Sequence, residues 1–348
     1  MKAKRFFIAA LACAVVCLGA LVLLVAVEDP LFVVSGVSED DTALFNNQRY
    51  EMAGLIRHQD YSNVVMGTSL VANYRASWFT EALGEETLKI TFPDGWISEF
   101  DKALQLAYRT HGELNRVFFG LDPNILIRPD SERTVELPEY LYNQNPLDDV
   151  EYLLSADTVQ LALRSALQRR AGNGVTLDEA YVWDGSFVFS EERALSGYKR
   201  PEVNPDPLPA DAYLAAAEEN LDVVCGWAEA HPDTQFTIWF PPYSILYWDK
   251  MTREGTADAI LTAVEYAAER LMAYDNVNVH CFLHNYAVIQ HLDYYTDHIH
   301  CSGFITHDTA QNLLAGRWML TEENYQIRLD ELREFVANYD YDSLFQNA

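Results

Sequence analysis

The residues with the clearest potential for chemistry lie far apart in the chain. Ser69 follows a short apolar run, and Asp297 and His300 stand three positions apart near the C-terminus. A serine hydroxyl becomes a nucleophile when a histidine accepts its proton and a carboxylate orients that histidine. A turn can direct the side chains of Asp297 and His300 to one side. The three residues therefore predict nucleophilic acyl chemistry, provided that the fold brings them together.

The segments that must position these residues follow an α/β pattern. Apolar runs of strand length alternate with longer amphipathic stretches, which is typical of a parallel sheet with helices packed on both faces. Ligands of such sheets bind where the strands end. Ser69 follows the first predicted strand and the Asp-x-x-His run follows the last, so we expect both at the carboxyl edge. The predicted strands are 63–67, 88–92, 116–122, 235–240 and 277–282, and the predicted helices are 75–83, 97–111, 156–170, 211–230, 257–274 and 321–338.

The order of these blocks resembles that of SGNH (GDSL-type) hydrolases, in which a serine, a glycine, an asparagine and an Asp-x-x-His pair come from successive blocks. The G-T-S run ending at Ser69 is similar to the first block, Gly95 to the second, and Asp297 and His300 to the last. The resemblance implies a three-layer α/β/α, flavodoxin-like SGNH fold with a central parallel sheet. It also implies that Ser69 is the nucleophile, His300 the general base and Asp297 the orienting carboxylate.

The third block departs from the SGNH pattern. Where the family has an asparagine, this chain has Asp122, with Asn124 two positions further on. The resemblance assigns the oxyanion hole to the N–H groups of Ser69 and Gly95, with Asp122 in the place of the missing asparagine. A carboxylate repels an oxyanion unless it is protonated or turned away, and the loss of one donor typically costs about 10²–10³ in rate. The residues that we expect to contact substrate are Asn73, Tyr243 and Tyr295.

Within this family the chain is most similar to membrane-anchored bacterial proteins akin to alginate and teichoic-acid acylation factors. The N-terminal anchor, the G-T-S block, residues 137–154, the FPPYS run at 240–244 and the Ser-Gly pair at 302–303 carry this likeness. It implies serine-dependent transfer of an acyl group, most simply acetyl, to a cell-surface polysaccharide or its removal from one. It also implies a membrane-bound O-acyltransferase as a partner. The alternatives are a non-catalytic member that binds glycan or scaffolds that acyltransferase, and a plain surface hydrolase without a partner.

An uncharged N-terminal run predicts a membrane anchor. Residues 6–27 carry no charge and follow a tip, residues 1–5, that holds three basic side chains. As a helix the run extends about 33 Å, which spans a hydrocarbon core of about 30 Å. Basic residues before it and acidic residues after it predict a single span in the cell membrane, with the N-terminus inside and an extracytoplasmic domain at 28–348. A cleaved signal peptide is the rival interpretation, but its apolar core is usually about 7–15 residues long.

Residues from about 125 to 210 interrupt the alternation of strands and helices. This stretch holds seven of the thirteen prolines, and one helix is predicted within it. We interpret it as an insertion over the ligand edge of the sheet.

Composition limits the partners and cofactors. The net charge of −28 would repel a phosphate backbone, so we expect no nucleic acid partner. Six histidines lie between positions 280 and 307, but their spacing fits no standard zinc motif, and we expect neither a metal nor another cofactor.

Three cysteines, Cys225, Cys281 and Cys301, lie outside the predicted span. An odd number permits at most one internal pair. A disulfide between Cys281 and Cys301 and a pair of buried free thiols both remain open.

Overall fold

The computed structural model of the protein describes residues 2–38, 42–143, 145, 147 and 149–346. It confirms the α/β class: the chain is mostly helical around one five-stranded parallel sheet in the order β2-β1-β3-β4-β5. Because every strand within the described residues runs in the same direction, all carboxyl ends meet at one edge. The strands are β1 (Asn63–Gly67), β2 (Thr87–Thr91), β3 (Arg116–Gly120), β4 (Gln235–Phe240) and β5 (Val277–Cys281).

The helices connect the strands and extend the chain at both ends. They are α1 (Lys2–Glu28), α2 (Gln48–His58), α3 (Ser69–Ala72), α4 (Ala76–Leu83), α5 (Ile97–His111), α6 (Pro123–Leu126), α7 (Glu139–Tyr142), α8 (Val150–Leu154), α9 (Ala156–Arg170), α10 (Glu191–Gly197), α11 (Leu214–Ala230), α12 (Ile245–Glu254), α13 (Ala257–Met272), α14 (Tyr286–Ile289), α15 (Gly303–Leu314) and α16 (Tyr325–Asn338). Short 3₁₀ turns occupy Asp130–Glu132, Asp184–Ser186, Leu292–Tyr294 and Tyr341–Phe345.

The strand order places a topological switch beside β1. The chain runs from β1 to β2 on one side and then returns to β3 on the other side of β1. In open parallel sheets, such a reversal leaves a crevice outside the carboxyl ends of the two strands, and ligands bind there. Ser69 begins α3 directly after β1, so its side chain starts from this crevice.

Local chemistry explains where the element boundaries differ from the predicted ones. Strand β3 was expected to reach residue 122 but ends at Gly120, because Asp122 caps the N-terminus of α6 by accepting the N–H of Asn124, 2.8 Å away. Pro123 then occupies the first turn of α6, where its missing N–H costs nothing. Helix α16 begins at Tyr325, four residues later than predicted, and a turn precedes it in which the Asn324 side chain accepts the backbone N–H of Thr321.

Helix α1 contains the whole uncharged run that was predicted as an anchor. It has 27 residues and is long and apolar enough to cross a membrane. Its residues 2–21 are all exposed.

The chain divides into two compact units. The first consists of Met1–Gln59 and Glu136–Ala180, and the second of Asp60–Val135 and Tyr181–Ala348. The sheet belongs to the second unit. The stretch interpreted as an insertion, 125–210, is thus shared between the units, because its middle part packs with the N-terminal segment.

Two glycines allow α3 to lie close against the sheet. Gly67 and Gly120 pair across β1 and β3, and Val71 of α3 covers both. A Cβ added at Gly120 would lie 2.8 Å from the Val71 side chain, and one added at Gly67 would approach the same methyl group still more closely. Any side chain at these two positions would push away the turn that carries Ser69.

Gly67→Ala is therefore expected to lower the free energy of unfolding by about 1–3 kcal/mol through overpacking. Adding Val71→Ala should recover part of that loss, since the two side chains compete for one space. Gly226→Ala is the matched control, because nothing lies within 4 Å of a Cβ added there. Urea unfolding of the full chain, followed by tryptophan fluorescence, measures all three. Equal effects of Ala at positions 67 and 226 would contradict the close packing.

Candidate active site

Ser69, His300 and Asp297 form one chain of hydrogen bonds. The Ser69 Oγ lies 2.9 Å from His300 Nε2, and His300 Nδ1 lies 2.7 Å from Asp297 Oδ2. A neutral imidazole that donates from Nδ1 to the carboxylate leaves Nε2 free to accept the serine proton. The structure thus brings together two segments that are 231 positions apart, at distances suited to proton transfer.

The turn that carries Ser69 is held at both ends. Thr68 caps α3 by accepting the N–H of Leu70 on its hydroxyl. At the other end, the ammonium group of Lys89 donates to the carbonyl oxygens of Ala72 and Tyr74, at 2.9 and 2.7 Å. Lys89 comes from β2 and is 5% exposed, so its charge depends on such acceptors. This anchoring fixes the direction of the Ser69 side chain relative to the sheet.

Asp297 holds the histidine turn through its own backbone. Its Oδ1 accepts the N–H groups of Ile299 and His300, both at 2.8 Å, while Oδ2 accepts from the imidazole. Burial raises the pKa of the Asp297 carboxyl, but its hydrogen bonds and the neighbouring imidazole outweigh that effect and lower the pKa to about 2. The Ser244 hydroxyl fixes the same turn by donating to the His298 carbonyl at 2.8 Å. The carboxylate therefore stays ionised in neutral solution and orients His300.

Asp122 lies beside the serine turn but is engaged by other groups. The Tyr243 hydroxyl and the Asn124 N–H donate to Oδ1, and the Thr68 hydroxyl donates to Oδ2 at 3.3 Å. Burial raises the pKa of the Asp122 carboxyl, against the effect of these three hydrogen bonds. Since both oxygens accept bonds from the protein, Asp122 in this arrangement does not supply the donor that the asparagine of the SGNH pattern provides.

Gly95 has a packing reason to be glycine. It lies buried in the loop after β2, and a Cβ added there would come within 2.9 Å of the Phe100 ring and the Phe92 carbonyl. Its own carbonyl accepts from Arg128 at 2.8 Å. Its packing alone already excludes a side chain, and its expected oxyanion role stays a prediction.

The three residues expected to contact substrate are buried in this structure, and their contact with substrate stays a prediction. Tyr243 and Tyr295 are both 0% exposed, and their hydroxyl groups donate to Asp122 and to a backbone carbonyl. Asn73 is 3% exposed, and its Oδ1 accepts the backbone N–H groups of Trp183 and Asp184. All three side chains are buried and bond to neighbouring groups of the protein, so they support the structure around the site.

Trp183 is a site residue that the sequence analysis missed. Its indole N–H donates to the Ser69 carbonyl at 3.2 Å, and its ring stands edge-on to the His300 ring, 5.2 Å between centroids. It comes from the irregular stretch before the Asp184–Ser186 turn, where no periodicity draws attention to it. The Asn73 amide holds the backbone of Trp183, and the Trp183 ring lies beside the serine–histidine pair.

The cysteines add no reactive group to the site. Cys225, Cys281 and Cys301 are free thiols, with Cys225 and Cys281 buried and Cys301 half-buried, so no disulfide joins Cys281 to Cys301 in this structure. Burial raises the pKa of Cys281 to about 12 and that of Cys301 to about 11. Thiols with such high pKa values are poor nucleophiles near neutral pH.

Neither a scan of protein-family models nor a search of curated proteins found a match to this chain. A serine hydroxyl, an imidazole aligned to accept its proton and an ionised carboxylate behind the imidazole can together perform nucleophilic attack on an acyl carbonyl.

Asp297→Asn keeps the shape of the side chain and removes its charge. Because folding lowers the pKa of Asp297 from 3.8 to about 2, the ionised carboxylate stabilises the fold above about pH 4. That contribution is lost as the pH falls toward about 2. Wild type should therefore lose stability relative to Asp297→Asn across this range in urea unfolding, whereas Asp275→Asn, at an exposed site, should not show the same trend. A difference from Asp297→Asn that does not change with pH would contradict these contacts.

Proposed function

We propose that this chain is a membrane-anchored serine acyltransferase or esterase of the SGNH type, which acts on a cell-surface polysaccharide through an acyl-enzyme on Ser69. The observation that carries the proposal is the hydrogen-bonded sequence Ser69–His300–Asp297 at the carboxyl edge of the sheet. The strand order 2-1-3-4-5 supports a flavodoxin-like doubly wound sheet, and the serine follows the strand at its switch point.

In the first half of the reaction, the Ser69 Oγ attacks the acyl carbonyl carbon while His300 Nε2 takes the hydroxyl proton. The resulting oxyanion accepts hydrogen bonds from the backbone N–H groups of Ser69 and Gly95. When the tetrahedral intermediate collapses, the bond to the leaving oxygen breaks, and His300 returns the proton to that oxygen. Asp297 stabilises the imidazolium during both steps without taking its proton.

In the second half, a hydroxyl oxygen attacks the acyl carbon of the acyl-enzyme, and His300 Nε2 removes its proton. The bond from the acyl carbon to the Ser69 Oγ then breaks, and His300 returns the proton to that oxygen. A sugar hydroxyl gives transfer to the glycan, and water gives release of the acid. Transfer requires that the acceptor exclude water from the serine ester. Trp183 supports this step, because it already places an aromatic ring beside Ser69 and His300.

The apolar helix α1 supports an attachment to the cell membrane. With basic residues before the span and acidic residues after it, the N-terminus is assigned to the cytoplasm and the sheet-bearing unit to the outside. There the unit meets cell-surface glycans, and a membrane-bound O-acyltransferase is the partner that we propose as its source of acyl groups.

Asp122 favours a second candidate, a non-catalytic glycan-binding or scaffold protein that accompanies such an acyltransferase. The buried carboxylate occupies the position of an oxyanion donor and accepts hydrogen bonds on both oxygens. If the N–H groups of Ser69 and Gly95 do not hold the oxyanion, the rate of acyl-enzyme formation is too low for catalysis. The site then serves for binding alone.

A fluorophosphonate probe separates the two candidates. We expect covalent labelling of the full chain that disappears in Ser69→Ala and persists in Ser98→Ala, a serine of α5. His300→Ala should slow the labelling by about 10²–10⁴-fold, the usual contribution of a general base. Folded protein that remains unlabelled would contradict the enzyme and favour the scaffold.

Transfer and hydrolysis are separated by the fate of an acyl group from a model ester. With an oligosaccharide acceptor present, we expect acylated sugar to form at the expense of free acid, and both products to vanish in Ser69→Ala. Mass spectrometry of the oligosaccharide and titration of the acid measure the two products. Free acid alone, at a rate unchanged by the acceptor, would assign the chain as a surface hydrolase.

A further inference from the structure

The outer end of the apolar helix α1 is covered by protein. Residues 2–21 of α1 are exposed, but residues 22, 24, 26 and 28 are half-buried and Val25 is fully buried. Helices α8 and α9 of the same unit pack against α1, and Arg169 of α9 forms an ion pair with Glu28. At about 1.5 Å per residue, the covered part of α1 is about 10 Å long.

This covering sets the depth of α8 and α9. The uncharged run of α1 is just long enough to cross the hydrocarbon core when the whole of it, to Val27, lies in the bilayer. Its last two turns then extend from the outer part of the hydrocarbon core to the headgroups. Helices that pack against those turns lie at the same level, so their remaining faces meet lipid.

The faces of α8 and α9 that are turned outward have the chemistry of the boundary between hydrocarbon core and headgroups. Leu163 and Leu167 lie on the exposed side of α9, 49% and 67% exposed, opposite its buried Thr158 and Ala162. On α8, a further two apolar residues are about half exposed, Val150 at 49% and Leu154 at 51%. Exposed leucines and valines on short helices are costly in water but favourable at a membrane interface.

The charge of α9 agrees with contact to lipid headgroups. The helix carries three arginines, Arg164, Arg169 and Arg170, and one acidic residue, Asp157, within a chain of net charge −28. Arginines beside an apolar helix face bind phosphate groups at the boundary and extend their apolar stems over the lipid. Arg169 is paired with Glu28, and Arg164 and Arg170 are balanced by Asp157 on α9 and Glu151 on α8. A chain of net charge −28 thus presents an apolar surface without net negative charge next to its own anchor.

We propose that the outward faces of α8 and α9 bind the bilayer that α1 crosses. The first unit then contacts the membrane through these faces as well as through α1. The occupant of this apolar surface is lipid, and the ion pair between Arg169 and Glu28 holds α9 in place for it. The inference rests on the proposed membrane span of α1, and the experiment tests the two separately.

An environment-sensitive fluorophore reads the depth of single positions in the full chain reconstituted in nanodiscs, one copy per disc. Cys13 and Cys17 are first replaced by Ala, and the parent without an added cysteine serves as the blank for the buried or half-buried thiols. Cysteine is then introduced at Leu163, at Leu167, at Val15 within the span, or at Asp157. The last position is a matched control on the polar flank of α9.

Lipid docking predicts that labels at positions 163 and 167 emit at shorter wavelength and are quenched by a lipid-borne quencher clearly more than a label at position 157, at a level between that control and position 15 in the middle of the span. Labels that read as water-exposed at 163 and 167 but buried at 15 would overturn the docking and leave the anchor intact. A water-exposed label at 15 would overturn both. Shielding of 163 and 167 only in discs with two copies would assign the surface to a second copy and overturn contact with lipid.

Discussion

The proposed chemistry of this protein depends on one proton path that joins two distant parts of the chain. A serine after the first strand and a histidine after the last meet only because all five parallel strands end at the same edge. Each side of the path is fixed independently. The buried Lys89 ammonium and the glycine pair under Val71 hold the serine turn against the sheet, while Asp297 closes the histidine turn on its own backbone N–H groups. Proton transfer therefore needs little rearrangement of the protein.

In the proposed SGNH assignment, Asp122 stands in the place of an asparagine. The Thr68 hydroxyl of the serine turn donates a hydrogen bond to its carboxylate. Tyr243, buried behind it, donates a further hydrogen bond that neutralises part of its charge. Because both oxygens of Asp122 accept hydrogen bonds from the protein, an oxyanion at Ser69 would have to be held by other donors.

The sequence predicted those features that depend on local periodicity and on residue type. Patterns within a few residues predict all five strands and the apolar helix α1. They also predict where Ser69, Asp297 and His300 lie relative to the strands. Burial in the tertiary structure is not encoded in this way. Tyr243 and Tyr295 were expected to contact substrate, because tyrosine suits both surfaces and cores. Tertiary packing buries both side chains in the core. Trp183 and the division of the inserted stretch between two units depend on long-range contacts that no local pattern reveals.

The most direct test of the proton path is the mass of the peptide that contains Ser69 after the full chain has reacted with an activated acetyl ester and been quenched in acid. The account predicts one acetyl group on Ser69 in the wild type and a large loss of that acetylation when His300 is replaced by alanine. Folded wild-type protein without acetyl on Ser69, or equal acetylation in the two proteins, would contradict it.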